Sequence, residues 1–322
     1  MMRQLATLLV IAALAVAPML IGDRYFSHIA VMVCLMGIMA FSMNLMLKVG
    51  QLSLAQVVFM STGAYGSALM AMAWGLPPVL AIVLAGIASG ILALVLGPLL
   101  LHIRGVYFVL LTFALAQVVN LVLQDWVGVT GGNSGLFNIP RLELFGVRLA
   151  RPEALYPFAL FLFALAFLAT YLLDRSRAGW VMHSIEENED LSRALGVDVM
   201  RWRVWTFGLS GLMAGIAGGV YAHFIGFLSP AAFTFAISVN ILVINVIGGI
   251  RSPFGPVVGA ILLVPLPELL RDAQQYQLLA YGVLLIVFMA FFRTGITGFL
   301  FGAVPGQRAG QMAGLRKLAR AK

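Results

Sequence analysis

Apolar residues along this chain run in blocks rather than in alternating stripes. Nearly uncharged stretches of about 20 residues recur, the length a helix needs to cross about 30 Å of hydrocarbon. Cutting the chain where charges or Gly/Pro clusters interrupt these stretches predicts spans over 5-22, 28-47, 53-73, 79-101, 105-124, 154-173, 204-224, 236-250, 254-270 and 276-292. In lipid every backbone amide must be bonded internally, so such blocks read as helices. The expected fold is an all-α, polytopic membrane protein of about ten transmembrane helices. It divides into a transmembrane domain over 1-300 and a basic tail over 301-322, with two long connections at 125-153 and 174-203.

Composition agrees with the pattern. The 322 residues are 62% hydrophobic and only 10% charged, and the mean hydropathy is +1.02. That excludes an ordinary soluble domain. The net charge of +8 reads as a topology signal rather than as a nucleic-acid footprint, because cytoplasmic loops of membrane proteins are enriched in Lys and Arg. With both termini cytoplasmic, fifteen basic residues fall inside and five (Arg24, Arg141, Arg148, Arg151, Arg271) outside. Lys48, Arg104 and Arg251 mark the short inner loops, and 174-203 is then cytoplasmic and 125-153 periplasmic. Five spans precede the long outer loop and five follow it, the arrangement of a 5+5 inverted repeat. The start "MMRQLATLLVIAALAVAPML" has the look of a secretory signal but is read as a retained first span, since further spans follow at once.

Gly211, Gly215 and Gly219 stand four apart on one helix face, a spacing that lets helix backbones approach closely. A hinge is the second reading. Pro265 and Pro267 in "LLVPLPELL" predict a broken helix first and a gate second. Chemistry is sparse elsewhere. The three lysines (Lys48, Lys317, Lys322) follow no glycine-rich phosphate loop, so the chain does not bind ATP by that route. Four scattered histidines and the lone Cys34 predict no metal site, no cofactor and no disulfide. No ionisable residue falls near the middle of a predicted span, which argues against a proton-coupled carrier.

Against this background "HSIEENEDLSRALG", residues 183-196, is an acidic island: four of the twelve acids (Glu186, Glu187, Glu189, Asp190) fall within five positions. The local pattern predicts one short helix, capped by Ser184 with Glu187 reaching back, and stopped by Gly196. Glu189 and Arg193, four apart, are spaced to pair. Leu191, Ala194 and Leu195 form a small apolar patch. A solvated loop helix and a helix that docks into a partner's groove fit this pattern equally well.

The segment "ENEDLSRALGVD" resembles the cytoplasmic coupling motif of ABC-importer permeases, in the form found in branched-chain amino-acid permeases. The likeness continues through "GQLSLAQVVFMSTGAYGSAL", "RGVYFVLLTFALAQ", "TGGNSGL" with "NIP", "FLSPAAFTFAISVNIL" and "VIGGIRSPFGPVVGA". It is nearer to the longer of that family's two permease subunits. Near the end, "FFRTGITGF" carries Arg293 where the family has Pro. The resemblance implies a non-enzymatic permease in the bacterial inner membrane. Its partners would be a second permease subunit, two cytoplasmic ABC ATPases, a periplasmic substrate-binding protein and the surrounding bilayer. It assigns Glu186, Glu187, Glu189, Leu191, Arg193, Ala194, Leu195 and Gly196 to ATPase coupling. For the substrate pathway the candidates are the polar groups Asn44, Gln51, Ser53, Gln56, Thr112, Gln117 and Asn240, against the alternative that each only bonds helix to helix. A branched-chain or related neutral amino acid is the expected cargo. A urea or short-amide permease of the same family, or an autonomous carrier or channel, is the alternative.

Overall fold

A computed structural model describes residues 23–144, 147–269, 282–283, 286 and 295–297. In chain order its elements are α1 (Arg24–Leu47), α2 (Gln56–Trp74), α3 (Pro78–Leu100), α4 (Val106–Asp125) and the short α5 (Val127–Thr130). A small antiparallel hairpin of β1 (Glu143–Leu144) and β2 (Val147–Arg148) follows. Then come α6 (Pro152–Arg175), α7 (Arg177–Glu187), α8 (Glu189–Ala194), α9 (Val199–Ile225), α10 (Phe235–Gly248), α11 (Gly255–Leu263) and α12 (Leu266–Leu269). Apart from the hairpin the regular elements among the described residues are helical.

Seven segments are long and apolar enough to cross a membrane, the seventh running Pro230–Gly248. They match the seven expected spans from 28-47 to 236-250. The expected spans 5-22 and most of 276-292 lie outside the described residues, as does the tail 301-322. The expected span 254-270 is broken, as its prolines predict, into two short helices, α11 and α12, separated at Val264 and Pro265. Proline has no N–H for the helical ladder and its ring clashes with the preceding turn.

α9 is the central post, packed chiefly against α3 and α2 and also against α1, which in turn packs on α6. Missing side chains explain the closeness of these crossings. A Cβ added at Gly63 would collide with the Gly215 backbone, and one at Gly218 with the Met60 backbone. Gly211 and Gly215 lie against Ala93 and Ser89, so the glycine stripe is a packing surface. With no hydrophobic drive between helices in lipid, this contact and interhelical hydrogen bonds hold them together.

Between α1 and α2 the chain runs non-helically through Gln51–Leu54, yet Gln51, Ser53 and Leu54 are buried. Irregular backbone survives at membrane depth only where protein satisfies it. Here the Leu54 N–H donates to Thr112 Oγ1 (3.1 Å), and the Ser238 hydroxyl donates to the Leu54 carbonyl (3.0 Å). The Gln51 N–H donates to the Met46 carbonyl. This segment moves the start of α2 to Gln56, three residues later than the expected 53.

The charged loops sort onto two ends of the bundle. Lys48, Arg104, Arg203 and Arg251 all reach acids at one end. At the other, Arg24 pairs with Glu153 (3.6 Å) and Arg148 with Glu143 (2.6 Å). There the 131-141 loop is tied to the end of α9 by a backbone bridge between Leu136 and Leu228 and by Arg141 donating to the Phe224 carbonyl.

Candidate functional site

The acidic island is two helices, not one. α7 continues through Ser184, whose hydroxyl donates back to the Val181 carbonyl (2.8 Å) instead of capping a helix. The cap is Asn188, held in extended conformation, whose side chain accepts the Leu191 N–H (2.9 Å) and starts α8. Asparagine competes with Ser for this role because its carbonyl oxygen reaches the same N–H, and the sequence offers both within five residues. The stop is as expected: Gly196 adopts φ +86° and its N–H donates to the Arg193 carbonyl (2.9 Å).

The break changes the electrostatics of the four acids. Glu189 and Asp190 occupy the first turn of α8, where the helix dipole favours them. Glu186 and Glu187 instead end α7, where it opposes them. Cations from elsewhere in the chain compensate. Glu186 faces Arg251 (3.5 Å) and His183 (3.4 Å). Glu189 is met by Arg193 (2.7 Å), Arg104 (3.1 Å) and both terminal nitrogens of Arg203. Beside them Asp174, at the end of α6, binds Lys48 (2.7 Å) and His183 (3.1 Å). Hydrogen bonding to Asp174, then to Glu186, raises the pKa of His183 from 6.5 to about 9, so its imidazole is charged at neutral pH.

The island is therefore fastened to the bases of α4 and α9 and to the loop after α10, and through His183 and Asp174 to Lys48 at the end of α1. Sequence reasoning assigned Lys48, Arg104, Arg203 and Arg251 to topology alone. The available signal was that each closes or opens a span on the same side as the acids.

The clasp leaves several apolar side chains at the surface, beside the exposed Glu187, Asn188 and Asp190. Leu191 is 57% exposed, Leu195 77% and Trp180 76%, with Ala194 and Gly196 also at the surface. Trp180 borders an open cleft of about 570 Å³ that is also lined by Asp174, Arg175, His183, Ser184 and Glu187. The guanidinium of Arg175 stacks 4.5 Å over Tyr171. A surface with this composition can seat another protein's apolar side chains within a charged rim.

The seven pathway candidates divide by exposure and do not converge on one chamber. Asn44, Gln51, Ser53, Gln56 and Thr112 are buried inside the chain. Asn44 donates to the Ile250 carbonyl (2.9 Å), and Gln56 Nε2 to Ser210 Oγ (3.2 Å), which also meets Ser42. Thr112 returns its proton to its own helix while accepting the Leu54 N–H. These are interhelical and loop-fastening bonds. Gln117 and Asn240 are exposed on the subunit surface, on α4 and α10, which meet through Phe113 and Phe235 edge to face (4.9 Å). α4 is the least buried of the seven spans.

Comparison with known proteins places this geometry in context. The model of a family described as branched-chain amino acid transport system, permease component, matches residues 25–292. The chain is 30% identical over 318 residues to the high-affinity branched-chain amino acid transport system permease protein LivM of Salmonella typhimurium, covering 91% of this chain and 75% of that protein. The Escherichia coli LivM matches to the same identity and coverage. A probable branched-chain amino acid transport permease protein LivH of Methanocaldococcus jannaschii is 24% identical over 224 residues, 65% of this chain and 68% of that protein. No solved structure matches.

Proposed function

The chain belongs to the branched-chain amino acid transport permease family, and from that premise we propose that it is one permease subunit of an ATP-driven importer for leucine, isoleucine and valine. The α7–α8 element is the dock for a cytoplasmic ATPase. A second permease covers the exposed flank of α4 and α10, so that Gln117 and Asn240 line the route between subunits. A periplasmic protein delivers the cargo to the 125–153 side, and the membrane is the bacterial inner membrane with both termini cytoplasmic.

The observation that carries this reading is the exposure of Leu191, Ala194 and Leu195 on α8 and of Trp180 on α7, in an element whose Glu186 and Glu189 are held by the chain's own cations. Acids that hold a loop helix in place leave its apolar residues free for a partner, which a merely solvated loop has no reason to display.

The polar groups on the α4 and α10 flank are an amide pair without fixed charge, which suits a net-neutral solute. An unpaired charge at mid-membrane costs at least about 2.5 to 3.5 kcal/mol. The test is uptake of labelled leucine into proteoliposomes holding this chain with its co-encoded permease, ATPases and binding protein. ATP-dependent uptake, inhibited by valine and untouched by urea, is expected. Saturable urea uptake that leucine leaves unaffected would replace the amino-acid reading. Accumulation by this chain alone under a proton or sodium gradient would make it an autonomous carrier.

A further inference from the structure

Glu189 stands between two helices that are held very differently. On one side is Arg203, one turn into α9, with its side chain only 4% exposed and its guanidinium spanning both carboxylate oxygens. α9 is the post whose glycines lie against α2 and α3, so this half of the carboxylate is anchored to the rigid part of the bundle. On the other side is Arg104, whose side chain is 47% exposed and which reaches Glu189 Oε1 at 3.1 Å from the turn just before α4.

α4 is the span with the least burial. Three of its polar links to other described residues lie at separate heights. Arg104 is at the base, Thr112 holds the Leu54 N–H (3.1 Å), and Asn120 donates to the Pro230 and Phe233 carbonyls (2.9 and 3.0 Å) near the far end. The residue between Arg104 and the helix is Gly105, at φ +62° and ψ −138°, a conformation open to glycine and costly to other residues. The Arg104 side chain therefore ties the base of a weakly packed helix directly to the first residue of α8.

We infer that Arg104 is a positioning residue for transport, the link through which displacement of α8 is passed to α4, with Arg203 as the fixed anchor against which Glu189 turns. A guanidinium–carboxylate bond is charge-assisted and directional, so it relates the position of the α4 base to that of Glu189 without a packed interface between the two helices. The inference rests on the permease reading and adds which residue transmits the ATPase stroke, and to which helix.

The experiment uses the complete transporter in proteoliposomes, with ATP hydrolysis and leucine uptake measured on the same preparation. For Arg104→Gln, the complex is expected to assemble and hydrolyse ATP at the wild-type rate, while leucine taken up per ATP falls about tenfold. Arg104→Lys, which keeps the charge but loses the planar fork, is expected to recover a substantial part of that ratio. An unchanged ratio in Arg104→Gln overturns the inference. So does loss of assembly in that variant, which would make the bridge a folding contact. Failure of the wild-type complex to take up leucine with ATP would instead count against the permease reading itself.

Discussion

Arg203 grips Glu189 with both terminal guanidinium nitrogens, Nη1 to Oε1 at 3.1 Å and Nη2 to Oε2 at 2.8 Å. The pair joins the first residue of α8 to the base of the central helix, and the Arg203 side chain is almost wholly removed from solvent. Burial makes the two partners unequal, since Glu189 keeps Arg104 and Arg193 when Arg203 is lost, while Arg203 has no second carboxylate among the described residues.

Removing the acid is therefore expected to cost more than removing the base. Glu189→Ala leaves a buried guanidinium uncompensated, a loss of about 3 to 5 kcal/mol, whereas Arg203→Met should cost markedly less. Thermal unfolding of the purified protein in detergent measures both. Equal destabilisation would show that the remaining arginines do not support the carboxylate.

The apolar patch should behave in the opposite way. Leu191→Asp and Leu195→Asp change exposed side chains and are expected to shift the stability of the isolated subunit by no more than about 0.5 kcal/mol. Co-purification with the ATPase should nevertheless be abolished, because a carboxylate buried in a partner's groove costs several kcal/mol. Retained ATPase binding in both variants would return α8 to the status of a solvated loop helix.

His183 links stability to pH. Its pKa rises from 6.5 to about 9 in the folded chain, so its protonated form is favoured by folding. That contribution is fully present below about pH 6.5 and disappears as pH rises through about 9. Asp174, Glu186, Lys48 and Arg251 share its surroundings. Melting temperatures of wild type and His183→Gln should differ most near pH 6 and converge towards pH 10. A constant gap would place the histidine's role in packing.

Two glycines of contrasting surroundings test the helix packing. A Cβ at Gly63 meets the Gly215 backbone, which cannot move aside as a side chain can, while one at Gly128 meets nothing. Gly63→Ala should lose about 1 to 3 kcal/mol or fail to accumulate in the membrane. Gly128→Ala should stay within about 0.5 kcal/mol. Comparable stability of the two would mean that α2 and α9 do not approach as closely in the membrane.

Topology is checked independently by reporter fusions. Fusions after Arg203 should report cytoplasm and fusions near Asn133 periplasm, as the fifteen-to-five distribution of basic residues requires. A periplasmic signal from 183–196 would remove the basis for ATPase docking.

The chain by itself determined its helical class and the seven described spans, because a run of about 20 apolar residues in lipid leaves the backbone no alternative to a helix. It also determined the stop at Gly196 and the pairing of Glu189 with Arg193, both set by neighbours within four positions. The start of α2 at Gln56 was decided by partners far along the chain, since the non-helical turn before it is held by Thr112 and Ser238. The break at Asn188 rather than at Ser184 goes with distant partners in the same way: Glu186 on one side of it meets Arg251, and Glu189 on the other meets Arg104 and Arg203. Gln117 and Gln56 carry the same side chain in helices that are both apolar enough to cross a membrane, yet Gln117 is exposed and Gln56 is sealed against Ser210. Hydropathy measures how apolar a helix is, whereas which face turns inward depends on the neighbours that the fold brings to it.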